Sequence, residues 1–139
     1  MLQRIDRPLY RRATRPSPLA RYLEGWAEAN PAKIFEATTH GYFFRDPLVG
    51  IFPRWSLFRY FAMLHARLRC GGSLTAADLG FCLHGPMDAP HHDGMLQFYR
   101  EAPRLGLTGI ARIEIGERGV IGECASYDLN LASDMLRPR

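Results

Sequence analysis

Apolar residues recur every three to four positions in the first half of the chain, and from about residue 78 onward the spacing drops toward two. Leu19, Tyr22, Leu23 and Trp26 stand at i, i+3, i+4 and i+7, with Arg21, Glu24 and Glu28 elsewhere, so the spacing predicts a helix over 18–29. Ser17 suits its N-cap and Pro18 its first position, and Asn30-Pro31 stops it. A shorter helix over 31–38 presents Ile34, Phe35 and Ala37. The longest helix is predicted over 53–69: Leu57, Phe61, Leu64 and Leu68 make one stripe, flanked by Phe58, Ala62 and His65. Gly71-Gly72 closes it with a glycine cap. Between the second and third helices lies an aromatic run, 41–46, of strand type. If it is extended, Tyr42, Phe44 and Asp46 share one face while Phe43 and Arg45 share the other. Pro47 keeps Asp46 out of helical geometry and Gly50 completes the turn.

The second half reads as strands over 78–84, 95–100, 107–115 and 120–129. Leu79, Phe81 and Leu83 alternate with Gly80, Cys82 and His84, and Ala111, Ile113 and Ile115 alternate with Arg112 and Glu114. Residues 85–94 and 116–119 are turn chemistry, and the charged stretch 100–104 breaks the pattern as a hairpin end. Helices followed by hairpin-linked strands predict an α+β fold, a curved antiparallel sheet with helices on one side.

The chain has 139 residues, one domain's worth. We divide it into a basic irregular arm, 1–17, and a single domain, 18–139. The net charge of +4 would suggest nucleic acid if it were spread over a face. It is not: residues 1–21 hold Arg4, Arg7, Arg11, Arg12, Arg15 and Arg21 against Asp6, a local +5, and the other 118 residues sum to −1. No nucleic acid is expected, and an acidic protein partner for the arm stands beside a plain solvated tail. Cys70, Cys82 and Cys124 are odd in number and lack a C-x-x-C pair, which points to reduced thiols and a cytoplasmic location. No apolar run reaches the roughly 18 residues that a membrane span needs, so no membrane is expected.

Candidate chemistry is sparse. Asp46 is either a catalytic carboxylate at a stiff strand end or a turn aspartate, and Tyr22 either a functional phenol or a core tyrosine. His65 flanks an apolar stripe, where a satisfied core histidine is the plain reading. Cys82 and His84 share a strand face, but no further ligand stands at a metal-site spacing, so neither metal nor cofactor is expected. His91-His92-Asp93 sits in a turn-rich loop, over a cavity mouth in the sharper reading.

Three features together resemble the nuclear transport factor 2-like (NTF2-like) superfamily, in particular its SnoaL-like and ketosteroid isomerase-like members. They are the turn Asp46-Pro47-Leu48-Val49-Gly50, the helical Arg21-Tyr22-Leu23, and the 24 residues separating Tyr22 from Asp46. The resemblance covers roughly 18–129. It implies a cone in which three N-terminal helices pack on a curved sheet around an apolar cavity, and a homodimer paired through the sheet's outer face. It also implies Asp46 as a base and Tyr22 as an oxyanion donor. An apolar wall disfavours a carboxylate's charged form and strengthens it as a base, and a phenol aimed at a carbonyl oxygen steadies the developing enolate. Tyr42, Phe44, Trp26, Phe58, Phe61, His65 and His84 are the expected substrate-binding wall for a small hydrophobic ketone or polyketide-like molecule. The isomerases' second acid has no counterpart in 107–112. A non-catalytic binding module therefore remains the alternative.

Overall fold

The computed structural model describes residues 17–67, 75–87 and 95–127. Helix α1, Pro18–Ala27, is capped by Ser17, whose side chain accepts from the Ala20 amide at 3.1 Å. Helix α2, Pro31–Glu36, is capped by Asn30, which accepts from the amides of Ala32 and Lys33. Strand β1, Thr38–Asp46, turns at Pro47 into β2, Gly50–Pro53. A 3-10 turn at Arg54–Ser56 leads into α3, Leu57–Arg67. Strands β3, Cys82–His84, β4, Met95–Ala102, β5, Leu107–Gly116, and β6, Gly119–Tyr127, are the remaining strands among the described residues.

The six strands form one sheet in the order β2-β1-β6-β5-β4-β3. This is the α+β architecture that the change of period predicts, with two corrections. The sheet is mixed, because β1 runs parallel to β6 while every other pair is antiparallel. Parallel neighbours need a long crossover, and here nearly the whole domain serves as one. In addition, 76–79 is a 3-10 turn, so β3 is shorter than the alternation over 78–84 predicts. Strand β2 is missing from the sequence reading, which ends the turn at Gly50, leaves 51–52 unassigned and starts the third helix at Pro53. The arm, the glycine cap at 71–72, the His91–Asp93 loop and the end of the last predicted strand lie outside the described residues.

The inner face of the sheet takes alternate residues: Tyr42, Phe44 and Asp46 from β1, Phe98, Arg100 and Ala102 from β4, Glu123, Ala125 and Tyr127 from β6. Against it α1 presents Tyr22 and Trp26, and α3 presents Leu57, Tyr60, Phe61 and Leu64. The resulting core is unusually aromatic. Trp26 touches Phe44, Tyr60, Phe61 and Phe81 with ring centres 4.8, 5.5, 5.4 and 6.0 Å away, mostly edge-on or tilted, the arrangement that ring quadrupoles favour.

The tight turn at 116–119 docks this sheet on the helices. Gly119 has φ of +147°, and a Cβ there would stand 2.6 Å from the Ala37 carbonyl oxygen. That same carbonyl accepts the Val120 amide at 2.9 Å, so it is not free to move away. Gly119→Ala is expected to lower stability by about 1–3 kcal/mol through strain and overpacking, read as a shift in the urea midpoint at unchanged slope.

Candidate functional site

Period-two geometry in β1 points Asp46 inward at the strand's end, where it is 1% exposed. Three donors hold its carboxylate. The Leu48 amide donates to Oδ1 at 2.8 Å, closing the turn that Pro47 starts. The hydroxyls of Tyr60 on α3 and Tyr127 on β6 both donate to Oδ2 at 2.8 Å. A carboxylate offers about four lone-pair positions, so among the described residues a single position is left without a donor, on Oδ1.

A second buried acid lies across the site. Glu123 on β6 accepts from Arg100 Nη1 at 2.9 Å and from the Tyr22 hydroxyl. The Tyr22 and Tyr42 hydroxyls are 2.6 Å apart. Arg100 Nε also donates to the Tyr127 hydroxyl at 3.1 Å. One continuous chain of contacts therefore runs Asp46, Tyr127, Arg100, Glu123, Tyr22, Tyr42. The guanidinium sits among rings, its Cζ 4.3 Å from the centre of Trp26, 4.0 Å from Phe81 and 5.0 Å from Phe44. Burial is the first cause of every pKa displacement in this network save that of Arg100, which the neighbouring Tyr127 and Glu123 push up against it. It pushes the phenols of Tyr22, Tyr42, Tyr60 and Tyr127 up, and it pushes the Glu123 carboxyl up against the opposing pull of Arg100.

Tyr22, Asp46, Tyr42, Phe44, Trp26 and Phe61 all reach this interior. Tyr22 and Asp46 do not bond each other: Tyr22 faces Glu123 and Tyr42, and Asp46 faces Tyr60 and Tyr127. Phe58, His65 and His84 are brought to the outside instead. Phe58 lies on α3's outer side, where it lines an open apolar groove of about 530 Å³ with Phe35 and Trp55. His84 points from the sheet's outer face, 3.0 Å from Glu101 Oε1. Cys82 and Cys124 are free thiols, with Cys124 exposed. Among the described residues no group of three or more His, Cys, Asp or Glu could hold a metal ion, and no helix is long and apolar enough to cross a membrane.

Four members of the network are absent from the sequence reading: Tyr60, Arg100, Glu123 and Tyr127. Tyr60 stands three residues after Leu57 and four before Leu64, on the helix stripe itself. Phe98-x-Arg100-x-Ala102 and Glu123-x-Ala125-x-Tyr127 each put a charge on the apolar side of a period-two pattern. Arg100 lies in β4 as the predicted strand over 95–100 has it, and β4 runs on through Glu101 and Ala102 into the stretch read as a hairpin end.

No family model matches the sequence, and no curated protein matches it. Solved structures do. TerC, co-crystallised with polyporic acid, superposes with a TM-score of 0.60 at 12% identity over 87% of this chain and 96% of that one. A Shewanella putrefaciens protein assigned as a SnoaL-like polyketide cyclase gives 0.56 at 9% identity over 86% and 82%. A Catenulispora acidiphila protein with a ketosteroid isomerase-like fold, in complex with trimethylamine, gives 0.56 at 9% over 87% and 92%. Further neighbours are described as NTF2-like. The chain has the NTF2-like fold. At these identities the likeness extends to architecture alone. In NTF2-like terms, α1 and the end of β1 supply Tyr22 and Asp46, and the sheet supplies the buried ion pair.

Proposed function

We propose that the protein is a cofactor-free acid/base catalyst of the isomerase or cyclase type, acting on a small hydrophobic ketone or polyketide-like molecule in an apolar interior. Asp46 is the base and Tyr22 the hydrogen-bond donor to the developing oxyanion. The observation that carries this reading is the inward carboxylate of Asp46, held by three donors with one lone-pair position left over. Such anchoring fixes the acid's orientation, which proton abstraction from carbon requires. Tyr22 donates to Glu123, and on this reading that bond gives way to one with the substrate oxygen. A protein assigned as a polyketide cyclase stands among those that share the fold, so a polyketide-like molecule is the first substrate class to try.

Asp46→Asn preserves shape and removes the base. Turnover on a panel of aryl and alicyclic ketones, followed as exchange of the α-hydrogens in D₂O, is expected to fall at least about hundredfold, with ligand affinity little changed. Retained exchange takes Asp46 out of the mechanism. The second reading, a binding module without chemistry, is favoured by Asp46 and Tyr22 having separate partners within the network. It predicts ketone binding with no exchange in either protein.

Two further expectations belong here. A homodimer through the sheet would cover outer-face residues such as Phe43 and Tyr99, 55% and 57% exposed in the single chain. Light scattering should then give about twice 15.8 kDa, and Phe43→Glu should return the mass to that of one chain. The arm of residues 1–17 is read as dispensable for catalysis, so exchange should survive its deletion.

A further inference from the structure

Two donors in the core have no partner among the described residues: Arg100 Nη2 and Trp26 Nε1. Both side chains are fully buried. An unpaired buried N–H is costly, because it gives up water and gains no acceptor in exchange. The two are neighbours. Arg100 Cζ lies 4.3 Å from the centre of the indole, and Nε and Nη1 of the same guanidinium are already committed to Tyr127 and Glu123. What remains is two donor atoms, Nη2 of a guanidinium lying over the indole and the Nε1 of that same indole, beside the chain of contacts that leads to Asp46.

We propose that Arg100 and Trp26 form an acceptor site for the carbonyl oxygen of the substrate, making Arg100 a catalytic residue in addition to Asp46. The proposal deepens the acid/base reading and rests on it. The local charge selects the ligand class. Asp46 and Glu123 bring two carboxylates against the single cation of Arg100. A carboxylate or phosphate ligand would add a further negative charge to a buried site already in deficit of positive charge. A neutral ketone adds an acceptor without a charge. In the reaction Asp46 takes a proton from the carbon beside the carbonyl, and the C–H electron pair becomes the carbon–carbon double bond of the enolate. The carbonyl π pair moves onto oxygen, facing the Arg100 and Trp26 N–H groups. The proton then returns from Asp46 to a carbon of the same molecule, so nothing is consumed. Preorganised donors at the point where charge develops are the strongest lever available in such a site.

The test uses the full chain with acetophenone carrying ¹³C at the carbonyl, read by infrared difference spectroscopy alongside methyl exchange in D₂O. The bound carbonyl stretch is expected below its value in water. Trp26→Phe should move it part of the way back and weaken binding about tenfold, as loss of one hydrogen bond to the ligand does. Because Arg100→Met alone leaves Glu123 unpaired, the second variant is Arg100→Met with Glu123→Gln, checked for folding by near-ultraviolet circular dichroism. It should remove most of the remaining shift, leaving what the Tyr22 hydroxyl supplies. A carbonyl at its aqueous frequency, variants that leave frequency and affinity unchanged, or no binding up to the solubility limit overturns the proposal, and the two donors then hold water. The arms separate the two readings. A shifted carbonyl without methyl exchange removes the acid/base function and leaves the acceptor site. Asp46-dependent exchange with an unshifted carbonyl removes the acceptor site alone.

Discussion

Arg100→Met is expected to destabilise the fold by about 3–5 kcal/mol, the range seen when one partner of a buried ion pair is removed. The reason lies more in what is left behind than in what is lost. Glu123 would keep its place with the Tyr22 hydroxyl while losing the only cation bonded to it among the described residues, and Tyr127 would lose the donor on its oxygen. Against a typical total of about 5–15 kcal/mol for a domain this size, the single variant should unfold at far lower urea. Arg100→Lys is not expected to rescue it, because an ammonium cannot bridge Tyr127 and Glu123 while lying flat among Trp26, Phe81 and Phe44. Adding Glu123→Gln should recover part of the loss. The difference between the double variant and the two singles measures the coupling, and strict additivity would mean that the pair does not act as one unit.

The second large effect is on the alkaline side. Tyr22, Tyr42, Tyr60 and Tyr127 all have pKa values raised in the folded protein, with burial the first cause. When a folded pKa exceeds the unfolded value, the folded state holds the proton longer. The associated stability is complete below the unfolded value, about pH 10 for tyrosine, and is lost as pH climbs from there toward the folded value. Each tyrosine contributes a slope of about 1.4 kcal/mol per pH unit, and four acting together exceed about 5. Unfolding should therefore be abrupt shortly above pH 10, with the phenolate absorbance of the four appearing in one step together with loss of near-ultraviolet dichroism. Gradual phenolate formation in a chain that stays folded would show that these hydroxyls reach water. Glu123 tilts the acidic side in the same sense: its folded pKa is also raised, so its contribution is complete below the unfolded carboxyl value and declines as pH rises toward the folded one.

Much of the fold was readable from the chain because its signals are local. Ser17-Pro18 and Asn30-Pro31 fix helix starts within four residues, and the alternation of Tyr42, Phe44 and Asp46 sets the inward face of β1 without reference to anything distant. The site was readable only in halves. Asp46 and Tyr22 announce themselves through a turn and a helix position. Arg100 and Glu123 look like ordinary surface charges until each is seen to have the other, 23 residues away, as its partner. Alternation says which side of a strand a residue takes, but a charge on the apolar side reads as an interruption unless its counter-charge is known. Tyr60 is different: its helix phase placed it inward, and the stripe through Phe61 drew attention from it. Phe58 and His65 erred the other way, since flanking a stripe is compatible with either side of its boundary. The parallel β1–β6 pair leaves no local trace at all, because a crossover spanning the domain has no turn signature.

That pairing also sets an order of events. Strand β1 finds its inner neighbour only when β6 exists, and the bond from Tyr127 to Asp46 joins positions 81 residues apart. During synthesis the acid would leave the ribosome long before its Tyr127 anchor in β6 does. Closure of so long a loop is entropically late and slow, so the carboxylate should acquire its final environment in the concluding phase of folding. A chain truncated before Gly119 should retain helical signal yet show no cooperative melting.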